Sequence, residues 1–297
     1  MKGTCYKWMG MGTLAGFFFC ACVGAATQGT QSTQSTQSSQ SGQTTPPAQQ
    51  TDKSKADTLT LDTPAPPVNA EEDAAFKAFE AMPMTDGPKK IQAGELFAQK
   101  YPQSRYLAPV YSSLVKLYLE ANEIQKMQEV GEKDVALAPN DVQTLAILGQ
   151  TLPRAWNASM PNAQLQLDKA EKFSKSAIEL TPTIAKPAGM ADDQFAMAKN
   201  ETLAMAHAGL GLVYFRRGKF EEAIPEFEMS TKVDPNPEID PVNYYVLAIA
   251  EVKTSHFDAA VAAYNKCATV AGSLQPTCKN GAEEAKKLGA TQLSAPK

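Results

Sequence analysis

The sequence predicts an all-α fold: a superhelix of four to five antiparallel helical hairpins, stacked in order and closed by a capping helix. Three observations predict it. Small and aromatic residues recur in the same order, with the same gaps, along the second two thirds of the chain. Prolines close three of these segments at one fixed distance. The composition is rich in Ala and only 8% aromatic, which suits helices that approach each other through small side chains.

Residues 1–26 read as an address rather than as fold. Lys2 and Lys7 precede an apolar run from Trp8 through Phe17, Phe18 and Phe19 to Val23, and Gly24, Ala25 and Ala26 follow. A positive start, an apolar middle and a small-residue end describe a secretory signal. Three fates stay open for it. It is cleaved after Ala25 or Ala26. It is lipidated at Cys22, since Phe19-Cys20-Ala21-Cys22 loosely resembles a bacterial lipobox. Or it stays uncleaved as an anchor, being barely long enough to span a bilayer.

Residues 27–69 repeat Gln, Ser and Thr and then carry Pro46, Pro47, Pro64, Pro66 and Pro67. Such a stretch has too little apolar surface to fold, so a disordered tether is expected. The folded part is expected over 70–290, with a short tail at 291–297. Its first hairpin is expected from Glu71–Ala81 and Pro88–Lys100, broken at Pro83 and Gly87.

The clearest unit begins His207-x2-Leu210-Gly211-x2-Tyr214, turns at Gly218, continues Ala223-x3-Phe227 and stops at Pro235. Gly211 and Ala223 are small where two helices must cross closely, and Tyr214 and Phe227 fill the space beside them. Gly218 suits the left-handed position that ends a helix, and Pro235 stops the second helix. Earlier units run Tyr111-x2-Leu114-Val115-x2-Tyr118 with Asn122 at the turn, and Leu145-x2-Leu148-Gly149-x2-Leu152 followed by Ala170 and Ala177. The first of these is degenerate in its second helix, with Met127 and Gly131 at the small and aromatic positions. A later unit runs Tyr244-x2-Leu247-Ala248, then Ala260-x3-Tyr264. It departs at Glu251, where an aromatic is expected, and at Ser255, which replaces the turn glycine. Tyr111 and Leu145 are 34 residues apart, and Met127 to Pro139, Ala170 to Pro182 and Ala223 to Pro235 each span 12. Lys279–Leu288 suits the capping helix that solenoid ends need.

These motifs and this period closely resemble the tetratricopeptide repeat, with His207 where Trp is commonest. The resemblance covers about 71–290 and implies a right-handed superhelix whose first helices line an inner groove. It also implies protein–protein interaction, with a partner protein or peptide and no cofactor. Groove-facing positions then include Ala208, Leu212, Phe215, Tyr245 and Ile249. Some relatives grip a terminal carboxylate there with Lys and Asn. Here Ala208 and Tyr245 stand at the basic positions and Leu212 and Ile249 at the Asn positions, so an apolar groove is expected instead. The groove either takes a partner segment or is filled by a neighbouring helix.

Two insertions interrupt the array, at about 153–162 and 183–193, and each marks either the functional face or a neutral excursion. Trp156 in the first either anchors a partner or staples its own loop. Cys267 and Cys278 are expected to form a disulfide. They are the thiols left once the leader is removed and Cys22 is removed or lipidated, and an exported chain meets an oxidising compartment.

Several function classes are disfavoured. A net charge of −4 shows no basic stripe for nucleic acid. With His207 and His256 as the whole histidine complement, most histidine-based metal sites and catalytic triads are excluded. No phosphate loop or dinucleotide fingerprint occurs. The expected function is an adaptor or assembly factor in the bacterial cell envelope, periplasmic or membrane-tethered. Two alternatives are a structural lipoprotein of outer-membrane or cell-wall assembly and an enzyme with a site hidden between helices.

Overall fold

Eleven helices in hairpin order are what the small-aromatic pattern becomes in a computed structural model, which describes residues 69–236 and 240–294. The expectations for 1–26, for most of the 27–69 tether and for Cys22 lie outside the described residues. The helices are α1 (Ala70–Ala81), α2 (Gly87–Lys100), α3 (Leu107–Glu120), α4 (Ile124–Leu137), α5 (Val142–Ala155), α6 (Ala163–Leu180), α7 (Asp192–Arg216), α8 (Phe220–Val233), α9 (Pro241–Lys253), α10 (Phe257–Ala268) and α11 (Leu274–Ser294). Among the described residues there is no strand.

Three of the five hairpin turns share one geometry. Asn122, Gly218 and Ser255 all take the left-handed conformation, at φ 58°, 74° and 64°. In each, the next residue's N–H returns to a carbonyl five residues back: Glu123 to Tyr118 at 2.8 Å, Lys219 to Tyr214 at 2.9 Å and His256 to Glu251 at 2.8 Å. This satisfies a carbonyl that the helix end would leave unpaired. Side-chain oxygens cap three of the starts. Asn69 accepts from the Glu71 and Glu72 amides, Asp141 from those of Gln143 and Thr144, and Asp240 from that of Val242. Asn69 thus belongs to α1, not to the tether. Pro139, Pro182 and Pro235 each stand two residues past the last residue of α4, α6 and α8.

Pairing follows chain order: α1 with α2, α3 with α4, α5 with α6, α7 with α8, α9 with α10, and α11 laid on α10. The first helices of successive hairpins also pack on each other, α3 on α5, α5 on α7 and α7 on α9, whereas second helices make no comparable packing. By the repeat resemblance, the first helices are expected to line the inner side of the superhelix. Two large apolar cores result, with a smaller cluster of Leu145, Ala146, Ala177 and Ala206 between α5, α6 and α7. Val110, Leu114, Tyr118, Met127 and Leu148 centre the first, over α1–α6 with Val213 of α7. Phe227, Leu247, Ala260, Tyr264 and the two cysteines centre the second, over α7–α11.

Three boundaries differ from the sequence reading. The helix of the second full unit runs through Pro153 to Ala155, because a proline late in a helix removes only one N–H. The second insertion shortens to about 184–191, since α7 starts at Asp192 and extends three to four turns ahead of the recognised motif. The cap begins at Leu274, with Pro276 inside its first turn, where a missing N–H costs nothing.

Candidate functional site

Of the residues expected to face the groove, Phe215, Tyr245 and Ile249 are half-buried, each leaning on the second core while keeping part of its surface open. Phe215 sits edge-on to Phe220, with ring centres 5.5 Å apart, and Tyr245 is tilted on Tyr264 at 6.2 Å. Leu212 is a correction. It is 2% exposed, packed inside the second core, and offers no surface to a partner. Ala208 is likewise fully buried. Leu212 is covered by residues of α8 and α9, among them Phe227 and Leu247.

Trp156 is half-buried, and its indole N–H donates to the Ala163 carbonyl at 2.8 Å. That bond ties the start of the 156–162 loop to the start of α6. The ring's other side faces Arg216, whose guanidinium carbon is 5.7 Å from the ring centre. The staple is thus present, and one face of the ring still borders a charged side chain.

A polar bridge between α5 and α9 is not legible in the sequence. The Arg154 Nη2 donates to Asp240 Oδ2 at 2.5 Å and to Asn243 Oδ1 at 3.3 Å. It links the end of α5 to the start of α9, past α7. Beside this bridge lies a small polar cleft lined by Thr231, Asp234, Asn236, Asp240, Asn243 and Tyr244. Arg217 turns the other way, pairing with Asp168 at 2.6 Å and with Glu171.

The departures from the repeat pattern find local partners. Glu251 is 4% exposed where the pattern places an aromatic, and its carboxylate meets His256 Nδ1 at 2.9 Å. Burial still raises the Glu251 pKa, with the His256 hydrogen bond opposing it. His207 Nδ1 lies 2.7 Å from Glu226 Oε2, tying α7 to α8. Among the described residues no group of His, Cys, Asp and Glu could hold a metal ion.

Cys267 and Cys278 are bonded, with Cα atoms 5.9 Å apart, and both are fully buried. The bridge joins α10 to α11. No helix among the described residues is long and apolar enough to cross a membrane.

Residues 206–237 match the sequence profile of the tetratricopeptide repeat family. No curated protein matches the chain. Solved structures similar to it include a thermophilic tetratricopeptide-repeat protein of Thermus thermophilus, 17% identical, with a TM-score of 0.42 over 73% of this chain and 99% of that one. PilW, a widely conserved type IV pilus biogenesis factor, is 13% identical, with a TM-score of 0.44 over 77% of this chain and 96% of its own. MamA AMB-1 is 17% identical, with a TM-score of 0.43 over 66% of this chain and 94% of its own. The profile match falls on α7 and α8, the hairpin with the most complete motif. Residues 206–237 are therefore a tetratricopeptide repeat, set within an all-α array of five helical hairpins and a capping helix.

Proposed function

We propose that the array is a protein–protein interaction module, an adaptor or assembly factor of the bacterial cell envelope. It takes a segment of its partner along the inner side of α7 and α9. The observation that supports this reading is the packing of successive first helices on one another, with Phe215, Tyr245 and Ile249 of α7 and α9 half-buried. Solenoids of this kind present extended concave surfaces of that sort. The apolar side chains supply contact area, and the buried positions beneath, Ala208 and Leu212, hold the wall rigid. A rigid wall loses little freedom on binding, which favours affinity.

The envelope placement rests on residues 1–26, through cleavage after Ala25 or Ala26 or lipidation at Cys22. Either form exports the array, and the second also holds it at a membrane. Mass spectrometry of the mature N-terminus distinguishes them, and a chain retaining Met1 in the cytosol contradicts both. Binding is tested by affinity capture from membranes with full-length bait carrying Phe215→Ala and Tyr245→Ala together. The proposal expects loss of the captured partner with the helical circular dichroism retained. Undiminished capture contradicts it.

A further inference from the structure

Four arginines stand in the sequence, and three of them face carboxylates. Arg105 meets Asp73 at 2.9 Å, Arg154 meets Asp240, and Arg217 meets Asp168 and Glu171. Arg216 has no acid opposite it among the described residues, although the chain carries 32 acids against 28 bases. Its Nε donates to the Pro153 carbonyl at 3.3 Å. That carbonyl is one of the last four of α5, which lack helical donors, so the bond serves the helix end. It also fixes the direction of the guanidinium. The two Nη groups, with four of the five N–H donors, are left unused.

The surroundings match. The Trp156 ring flanks the guanidinium at 5.7 Å and is itself held by its bond to Ala163. The Arg216 side chain is open to solvent. Neighbouring protein nevertheless desolvates its charge, lowering its pKa from the usual guanidinium value. A partly desolvated, pre-oriented guanidinium fork binds a planar carboxylate through two parallel hydrogen bonds. A single unpaired cation suits one negative charge.

We infer that Arg216 and Trp156 form a carboxylate-binding subsite that receives an Asp or Glu side chain of the partner segment, with the adjoining partner residue laid on the indole. The inference rests on the interaction reading above and names the chemistry of the partner. It differs from a clamp built on the inner helix positions, where Ala208, Leu212, Tyr245 and Ile249 supply no cation.

The test uses the full chain and a fluorescent peptide of alternating Glu and Leu, blocked at both ends, with a Gln-for-Glu counterpart, read by anisotropy. The wild type is expected to hold the Glu peptide about tenfold or more tightly over the Gln peptide, roughly 1.4 kcal/mol. Arg216→Gln is expected to erase that preference, and Arg216→Lys to keep part of it, since the charge stays and the fork is lost. Unchanged helical content in the two variants separates the effect from unfolding. Equal binding of the two peptides by the wild type overturns the inference, as does an intact preference in Arg216→Gln. So does a Gln peptide whose unblocked C-terminal carboxylate binds as well as the Glu peptide. In each of these cases the interaction reading survives wherever capture still depends on Phe215 and Tyr245.

Discussion

Gly209 of α7 lies directly against the backbone of Gly149 of α5: a Cβ on Gly209 would stand 2.5 Å from the Gly149 carbonyl oxygen. Four residues after Gly149 comes Pro153, which has no N–H to give that carbonyl. The first helices of two hairpins therefore meet backbone to backbone where one carbonyl lacks its usual donor. On its other side Gly149 meets Ser174 of α6, whose amide N would be 3.0 Å from an added Cβ.

Gly209→Ala should therefore destabilise the array by about 3 kcal/mol, the upper range for overpacking, because backbone rather than a movable side chain is in the way. Gly272→Ala should be close to neutral, since an added Cβ there meets nothing within 4 Å and the φ is not positive. Gly218→Ala should cost about 1 kcal/mol, from its left-handed backbone alone. Denaturant unfolding of the three variants ranks them.

Asp134 gives the array a pH dependence. It is completely buried in α4, Oδ2 accepts from Thr144 Oγ1 at 2.6 Å, and Oδ1 has no hydrogen-bond partner. Burial pushes its pKa up to about 7. The Thr144 hydrogen bond and Lys116 oppose the rise, while Asp141 adds to it. The folded value exceeds the unfolded carboxylate value of about 4, so the native state binds the extra proton between them. Stability should fall as pH rises from about 4 through 7 and then level off. Asp134→Asn should flatten that slope and be more stable than wild type at pH 8, measured by thermal unfolding across pH.

The Cys267–Cys278 bridge should hold α11 on α10. Its closed loop is short, with a sequence separation of 11, and loop closure of this size stabilises by roughly 3 kcal/mol. Reduction, or Cys267→Ser with Cys278→Ser, should lower the unfolding midpoint. Amide exchange should quicken in α11 well before α3–α6, because neighbouring repeats alone couple in such arrays. Two reactive thiols at these positions in denatured, unreduced protein would show that the bridge is absent.

Much of this fold is legible because each hairpin announces itself locally. The small-aromatic motif, the turn residues Asn122, Gly218 and Ser255 and the closing prolines all act within one hairpin. What the motif does not span stays hidden. The extra turns of α7 before His207 carry no repeat residues, so only the chain's packing reveals them. The Arg154–Asp240 bridge joins positions 86 residues apart. Asp134 is completely buried, although nothing in the repeat motif marks its position. Leu212 is groove-facing by its place in the motif, but the position says nothing of how tightly the adjacent helices close over it. Arg216 carries one weak signal, its place beside Arg217 at a helix end, and that gives no hint of which arginine lacks a carboxylate.

Site-specific photo-cross-linking in living cells tests the central claim most directly. The photoreactive residue replaces Ile249 on the inner first helix α9 in one strain, and Met229, exposed on the second helix α8, in another. Partner binding along the inner side predicts a discrete cross-linked adduct from position 249 and none from position 229, with the partner peptide mapped by mass spectrometry. An adduct from 229 with none from 249, or the same adduct from both, would contradict it.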